Sequence, residues 1–150
     1  MRLTNHTDYG LRVLIYLALQ GDSDVSTADI AAYHKLSLHH IRKIVQGLSH
    51  AGFVDTTRGR GGGVRLARPA VEIRLGQVVL ALEPDMNIAE CFRPGTSSCV
   101  IAPVCRLKAV LADARAAFLD ELDQVTLAEV VGNGRALRRL LNAEAEGSSG

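Results

Sequence analysis

Apolar positions recur at helical spacing through the first fifty residues. Between Thr7 and Gln20, Leu11, Leu14, Ile15 and Ala18 share one face of a 3.6-residue repeat, which predicts a helix with Thr7 or Asp8 as N-cap and Gly21 just past its end. Ser26 and Thr27 precede a shorter run over Ala28 to Tyr33, and Asp29 follows Ser26 by three residues, as in a capping box. After a break at Lys35 and Leu36, Ser37 caps a third helix that reaches about Ala51. Its Leu38, Ile41, Val45 and Leu48 turn inward, while His39, His40, Arg42, Lys43 and Gln46 turn outward. Two short helices, a tight turn and a cationic outer face predict a helix-turn-helix.

The period then changes. Gly52 ends the third helix, Phe53 and Val54 begin a strand, and Val64-Arg65-Leu66 returns after a turn containing Gly59, Gly61, Gly62 and Gly63. This reads as a β-hairpin wing with Arg58, Arg60 and Arg65 flanking the turn as phosphate or minor-groove contacts. It is not a Walker phosphate loop, because no Gly-Lys-Ser/Thr ending and no helix follow. Leu75 to Leu82 is a short apolar helix, and 83–104 is a loop with Pro84, Pro94 and Pro103 that is ordered only where something ties it down. From Cys105 to Gln124 runs the longest helical pattern, with Leu107, Val110, Leu111, Ala114, Ala117, Phe118 and Leu122 in one apolar stripe. Thr126 to Val131 and Ala136 to Leu141 predict short terminal helices, and 142–150 a frayed tail whose last four residues, Gly147 to Gly150, have linker composition.

The expected architecture is therefore mainly α. A winged helix-turn-helix (1–82) is followed by a cysteine-bearing loop (83–104), then by a long helix with terminal helices (105–141) and a flexible tail (142–150). The apolar stripe suits packing onto its own domain or dimerisation. A dimer would present two recognition helices to a palindromic double-stranded site with half-sites about 34–36 Å apart.

Composition sharpens this picture at two points. The net charge of +1 conceals segregation: His34 to Arg74 holds eight basic residues (Lys35, Arg42, Lys43, Arg58, Arg60, Arg65, Arg68, Arg74) against two acidic ones, Asp55 and Glu72. Such a face suits a polyanion, since neutralised phosphates release counterions. Leu11 to Leu19 is far short of the roughly 20 apolar residues that span a bilayer, and nothing marks export. A reducing cytoplasm is the default, without structural disulfides.

All three cysteines, Cys91, Cys99 and Cys105, fall in one window after the DNA-binding half. An odd number of clustered thiols is not consumed by internal disulfides, whereas three thiolates and one further ligand would complete a metal or iron-sulfur site. Seven residues separate the first pair and five the second, long enough to wrap a cluster. No Cys-x-x-Cys pair is present, so a structural zinc site would need His6, His34, His39, His40 or His50. Free thiols or a redox disulfide sensor are further alternatives. No Ser-His-Asp set or carboxylate pair stands out, and the chain is not expected to be an enzyme.

Taken together, Met1-Arg2-Leu3-Thr4, Thr7-Asp8-Tyr9-Gly10-Leu11-Arg12, the wing Arg58 to Leu66, Leu82-Glu83-Pro84, Glu90-Cys91-Phe92 and Cys105-Arg106-Leu107 resemble the NsrR repressors. These belong to the winged-helix iron-sulfur regulators that also include IscR and RirA. The resemblance implies a homodimeric repressor that senses nitric oxide through a cluster on Cys91, Cys99 and Cys105 and releases its operator when the cluster is nitrosylated. A 4Fe-4S cluster is favoured over 2Fe-2S. IscR-like proteins take a histidine three residues after the last cysteine, where this chain has Lys108. NsrR-like proteins can use an aspartate in the first helix of the partner subunit, and Asp8 matches it. The residue-level alternative for Asp8 is helix capping and the favourable end of the helix dipole. A RirA-like iron-responsive regulator and a zinc-stabilised DNA- or protein-binding module are the competing functions.

Overall fold

The computed structural model describes residues 2–57, 59, 62–93, 95, 98–132 and 134–139. Helix α1 spans Asn5–Gln20 and starts two residues before the expected position, because Thr4 rather than Thr7 or Asp8 is its N-cap; the Thr4 hydroxyl accepts from the Thr7 N–H at 3.3 Å. Thr7 is instead fully buried, and Asp8 lies within the first turn. Helix α2 (Thr27–His34) has Ser26 as its cap and ends at Lys35, whose φ of 53° turns the chain in the left-handed region. Helix α3 (Leu38–His50) is capped by Ser37. Its inward face is Ile41, Ile44, Val45 and Leu48, whereas Leu38 is only half-buried.

The wing consists of β1 (Val54–Thr56) and β2 (Val64–Leu66), antiparallel with Val54 opposite Leu66 and Thr56 opposite Val64. Val25 extends it as a single bridging residue, exchanging hydrogen bonds with Val64 of 3.0 and 2.8 Å. Beyond a 3-10 turn at Ala70–Glu72 come α4 (Leu75–Leu82), α5 (Arg106–Gln124) and α6 (Leu127–Val131). Residues 135–139 are helical, and the rest of the expected last helix and the tail lie outside the described residues.

One core serves all of these elements except α5. Val13, Leu14, Leu17, Ile30, Ile41, Ile44, Leu48, Val54, Val64, Ile73 and Val78 form it, and Leu127 of α6 is equally buried within it. The α6 region is held there by Leu127 N–H donating to the Ile73 carbonyl (2.8 Å) and Leu75 N–H donating to the Val125 carbonyl (3.0 Å). Thr126 and Glu129 close a capping box at its start.

Helix α5 contributes no fully buried residue. Leu111, Phe118 and Leu122 of its stripe are half-buried and the helix packs on α4, but Leu107 and Val110 are 63% and 61% exposed. The fold is a winged helix-turn-helix, mainly helical, with a two-stranded wing and a long helix beyond it.

Candidate functional site

The outer face of α3 presents His39, Arg42, Lys43 and Gln46 to solvent, with His50 continuing the face at its C-terminal end. His40 departs from the expectation of a fully outward side chain. It is half-buried, with its ring edge-on to Tyr9 of α1 at 5.5 Å between centroids. On the wing, Arg65 is exposed and pairs in register with the exposed Asp55; Arg58 and Arg60 lie outside the described residues. Two cations of the basic segment are structural. Arg68 places its guanidinium over the Phe53 ring at 5.0 Å, and Arg74 donates to the Asp123 carbonyl at 2.6 Å.

The helix that supports this face carries a connected polar group. Asp8 and Arg12 form an ion pair at 2.9 Å, and Arg12 also lies 5.5 Å from the Tyr9 ring centroid. Tyr16 stacks on Tyr33 at 4.7 Å, with the His34 ring edge-on to both. Burial, and secondarily Arg12, pushes the His34 pKa below the usual histidine value, while burial followed by Asp29 and Tyr33 raises that of Tyr16.

Between α4 and α5 the chain carries the three cysteines, none of which is in a disulfide. Cys91 lies in a 3-10 turn at Glu90–Phe92, and Cys99 is exposed just before a second turn at Ala102–Val104. Cys105 is half-buried at the start of α5. The tie that holds this loop together was not expected from the cysteine spacing. Glu90 Oε1 accepts from both the backbone N–H and the hydroxyl of Ser98, each at 2.9 Å, so the residues directly preceding Cys91 and Cys99 are joined. Those two bonds hold the Glu90 carboxyl below its usual pKa. A carboxylate seven residues before a serine-rich run was the available signal. Arg115 of α5 sits 5.2 Å from the Phe92 ring and fastens the same turn to the long helix.

Among the described residues, no three His, Cys, Asp or Glu side chains converge on a metal-sized position. The three thiols and Asp8 are therefore placed on the loop, on the start of α5 and on α1 without being brought together within one chain. The histidines of the zinc alternative belong to the head: His6 lies against Gly47, His34 belongs to the tyrosine cluster, and His39, His40 and His50 are on α3.

The model of the Rrf2 family, described as iron-dependent transcriptional regulators, matches residues 3–133. The chain belongs to the Rrf2 family. Within it the chain is of the NsrR type: it is 43% identical over 143 residues to an HTH-type transcriptional regulator NsrR of Bacillus licheniformis, covering 95% of this chain and 100% of that one. Among solved structures it is similar to CymR, the global cysteine regulator of B. subtilis, with a TM-score of 0.68, 26% identity and coverage of 87% of this chain and 95% of CymR. It also shares its fold with T. potens IscR, at a TM-score of 0.72, 24% identity and coverage of 91% and 90%. This Rrf2 chain is a transcriptional regulator and not an enzyme. No helix among the described residues is long and apolar enough to cross a membrane.

Proposed function

We propose that this Rrf2 protein is a homodimeric repressor of the NsrR type that reads nitric oxide through an iron-sulfur cluster on Cys91, Cys99 and Cys105. Asp8 of the partner subunit would be the fourth ligand. The observation that carries the proposal is the placement of three cysteines, outside any disulfide, on the segment between α4 of the DNA-reading domain and the long helix α5, in a chain 43% identical to an NsrR regulator. The donor set fits the group: three thiolates are soft ligands suited to iron-sulfur clusters. Once bound, the cluster would supply iron that reacts with nitric oxide. The protein's part is to hold the three thiols on a loop made of short turns. Thr4 rather than Asp8 caps the helix; Asp8 keeps its place in the first turn, where the helix dipole favours an acid, and its carboxylate pairs with Arg12 on the same helix.

DNA recognition is assigned to His39, Arg42 and Lys43 in the major groove, with His40 at its edge and Arg58, Arg60 and Arg65 on the wing. The exposed Leu107 and Val110 favour the long helix as the homodimer contact. A double-stranded, palindromic operator and a cytoplasmic setting follow from this reading. Anaerobic purification with absorbance, iron and sulfide analysis tests the cofactor: about four irons and four sulfides per chain are expected for 4Fe-4S, and a colourless protein with stoichiometric zinc and no sulfide would sink the proposal.

The family's description as iron-dependent favours a second reading, an iron-responsive regulator of the RirA kind. The two separate when the purified holoprotein on its operator is exposed to nitric oxide or to an iron chelator. Release by nitric oxide alone supports the first, and release by chelation alone the second.

A further inference from the structure

Glu83 is the first residue beyond α4 and the first of the segment that carries the cysteines. Its side chain points back to the opening of α1. A single oxygen, Oε2, accepts from the Thr7 hydroxyl at 2.6 Å, from the Thr4 N–H at 3.1 Å and from the Thr4 hydroxyl at 3.2 Å. Thr7 is 0% exposed, and without Glu83 its hydroxyl would retain, among the described residues, the Thr4 hydroxyl 3.0 Å away. An anionic acceptor at a helix N-terminus is also favoured by the helix dipole.

The same turn of α1 touches both functional halves. Its neighbour Asp8 is the candidate fourth ligand, and Gly10 lies so close to α4 that an added Cβ would collide with Leu82, the residue before Glu83. His6 lies over Gly47 of α3, with its Nε2 2.9 Å from where a Cβ would sit. Tyr9 meets His40 at the start of the recognition helix. A shift at the root of the cysteine segment therefore meets α1 first, and α1 meets α3 directly.

We propose that Glu83 is a positioning residue, the joint through which a rearrangement of residues 83–105 is passed to α1 and from α1 to the recognition helix. Its physiological trigger rests on the iron-sulfur reading; the joint itself does not. Gly10 brings the backbone of α1 against the Leu82 side chain, so α1 and α4 are closely packed beside this joint.

The test uses the full chain and two readouts. In the apoprotein, carboxamidomethylation of the cysteines with iodoacetamide perturbs the loop without any cluster, and amide exchange of a peptide covering residues 3–14 reports on α1. The wild type should change its exchange on alkylation. Glu83→Ala and Thr7→Val should not, whereas Glu83→Gln, which keeps an oxygen acceptor, should restore part of the response. In the reconstituted holoprotein, Glu83→Ala and Thr7→Val should lower the ratio of holo to apo operator affinity about tenfold, or about 1.4 kcal/mol, with iron and sulfide content unchanged. Thr7→Val provides the readout where Glu83→Ala fails to fold. A wild-type response in both variants overturns the joint, as does a wild type whose α1 responds neither to alkylation nor to cluster loading. Loss of the alkylation response in the variants of a chain that binds no cluster supports the joint and removes the iron-sulfur reading.

Discussion

Replacing Leu127 with Ala tests whether the end of the chain belongs to the DNA-reading core. Leu127 is 0% exposed and packs into the cluster formed by α1, α3 and the wing, although more than forty residues of loop and helix separate it from α4. Truncation removes three buried carbons and leaves a cavity between rigid helices, which costs about 2–5 kcal/mol. For a domain stable by roughly 5–15 kcal/mol this is a large fraction, and a loss of about 3 kcal/mol lowers Tm by about 6–12 °C for a chain of this size. Urea denaturation of the apoprotein, monitored by circular dichroism, measures it as a lower midpoint with an unchanged slope. Val130→Ala on the same helix is the control: its residue is 38% exposed, and the expected change is within about 0.5–1 kcal/mol. A Leu127→Ala variant within about 0.5 kcal/mol of wild type would refute the claim that α6 completes the core.

Gly63→Ala should destabilise by about 1–3 kcal/mol through overpacking, because its added Cβ would lie 2.8–3.0 Å from the backbone of Val25; thermal melting measures the loss, and an unchanged Tm would show that the bridge between Val25 and the wing can yield. Arg42→Ala and Lys43→Ala should each reduce the slope of log affinity against log salt by about 1 if they neutralise phosphates, as read by fluorescence anisotropy on operator DNA. Acidification should weaken the fold at two places. His34 has its pKa lowered, so the unfolded chain binds the proton more readily, and the stability present above the ordinary histidine pKa is lost as pH falls through 6.5 and below; His34→Gln should flatten that part of the stability profile. Glu129, held below the usual carboxylate range by hydrogen bonds from the Thr126 N–H and hydroxyl, supports α6 above the carboxylate range and ceases to do so on further acidification; Glu129→Gln should remove this second acid step.

Local signals made much of the fold legible. Ser26 and Ser37 cap the helices they were expected to cap, and the change from helical to alternating pattern at Gly52 located the wing. The start of α1 was misplaced: Thr7 or Asp8 was expected as its cap, whereas Thr4 caps it and tertiary packing encloses Thr7 against Glu83. Charge counting grouped Arg68 and Arg74 with the DNA face, yet composition carries no direction: one stacks on Phe53 and the other closes the end of α5. The place of Leu127 in the head's core was invisible for the same reason, since pairing between residues 73–75 and 125–127 leaves no periodic trace. Of the candidate site, the cysteines and the outward cations of α3 were readable from spacing. The Glu90 to Ser98 tie and the Glu83 joint depend on side chains meeting across loops, which spacing does not encode.

Cluster chemistry at Cys91, Cys99 and Cys105 is proposed to govern operator binding. Anaerobic titration of the holoprotein on labelled operator DNA with nitric oxide, alongside the Cys91→Ser, Cys99→Ser, Cys105→Ser triple variant, tests it most directly. The expected result is tight binding by the holoprotein, lost progressively as nitric oxide is added, and weak binding by the variant that nitric oxide does not change. Operator binding by the wild type that is equally tight before and after nitric oxide, or a triple variant that binds as tightly as the holoprotein, would contradict it.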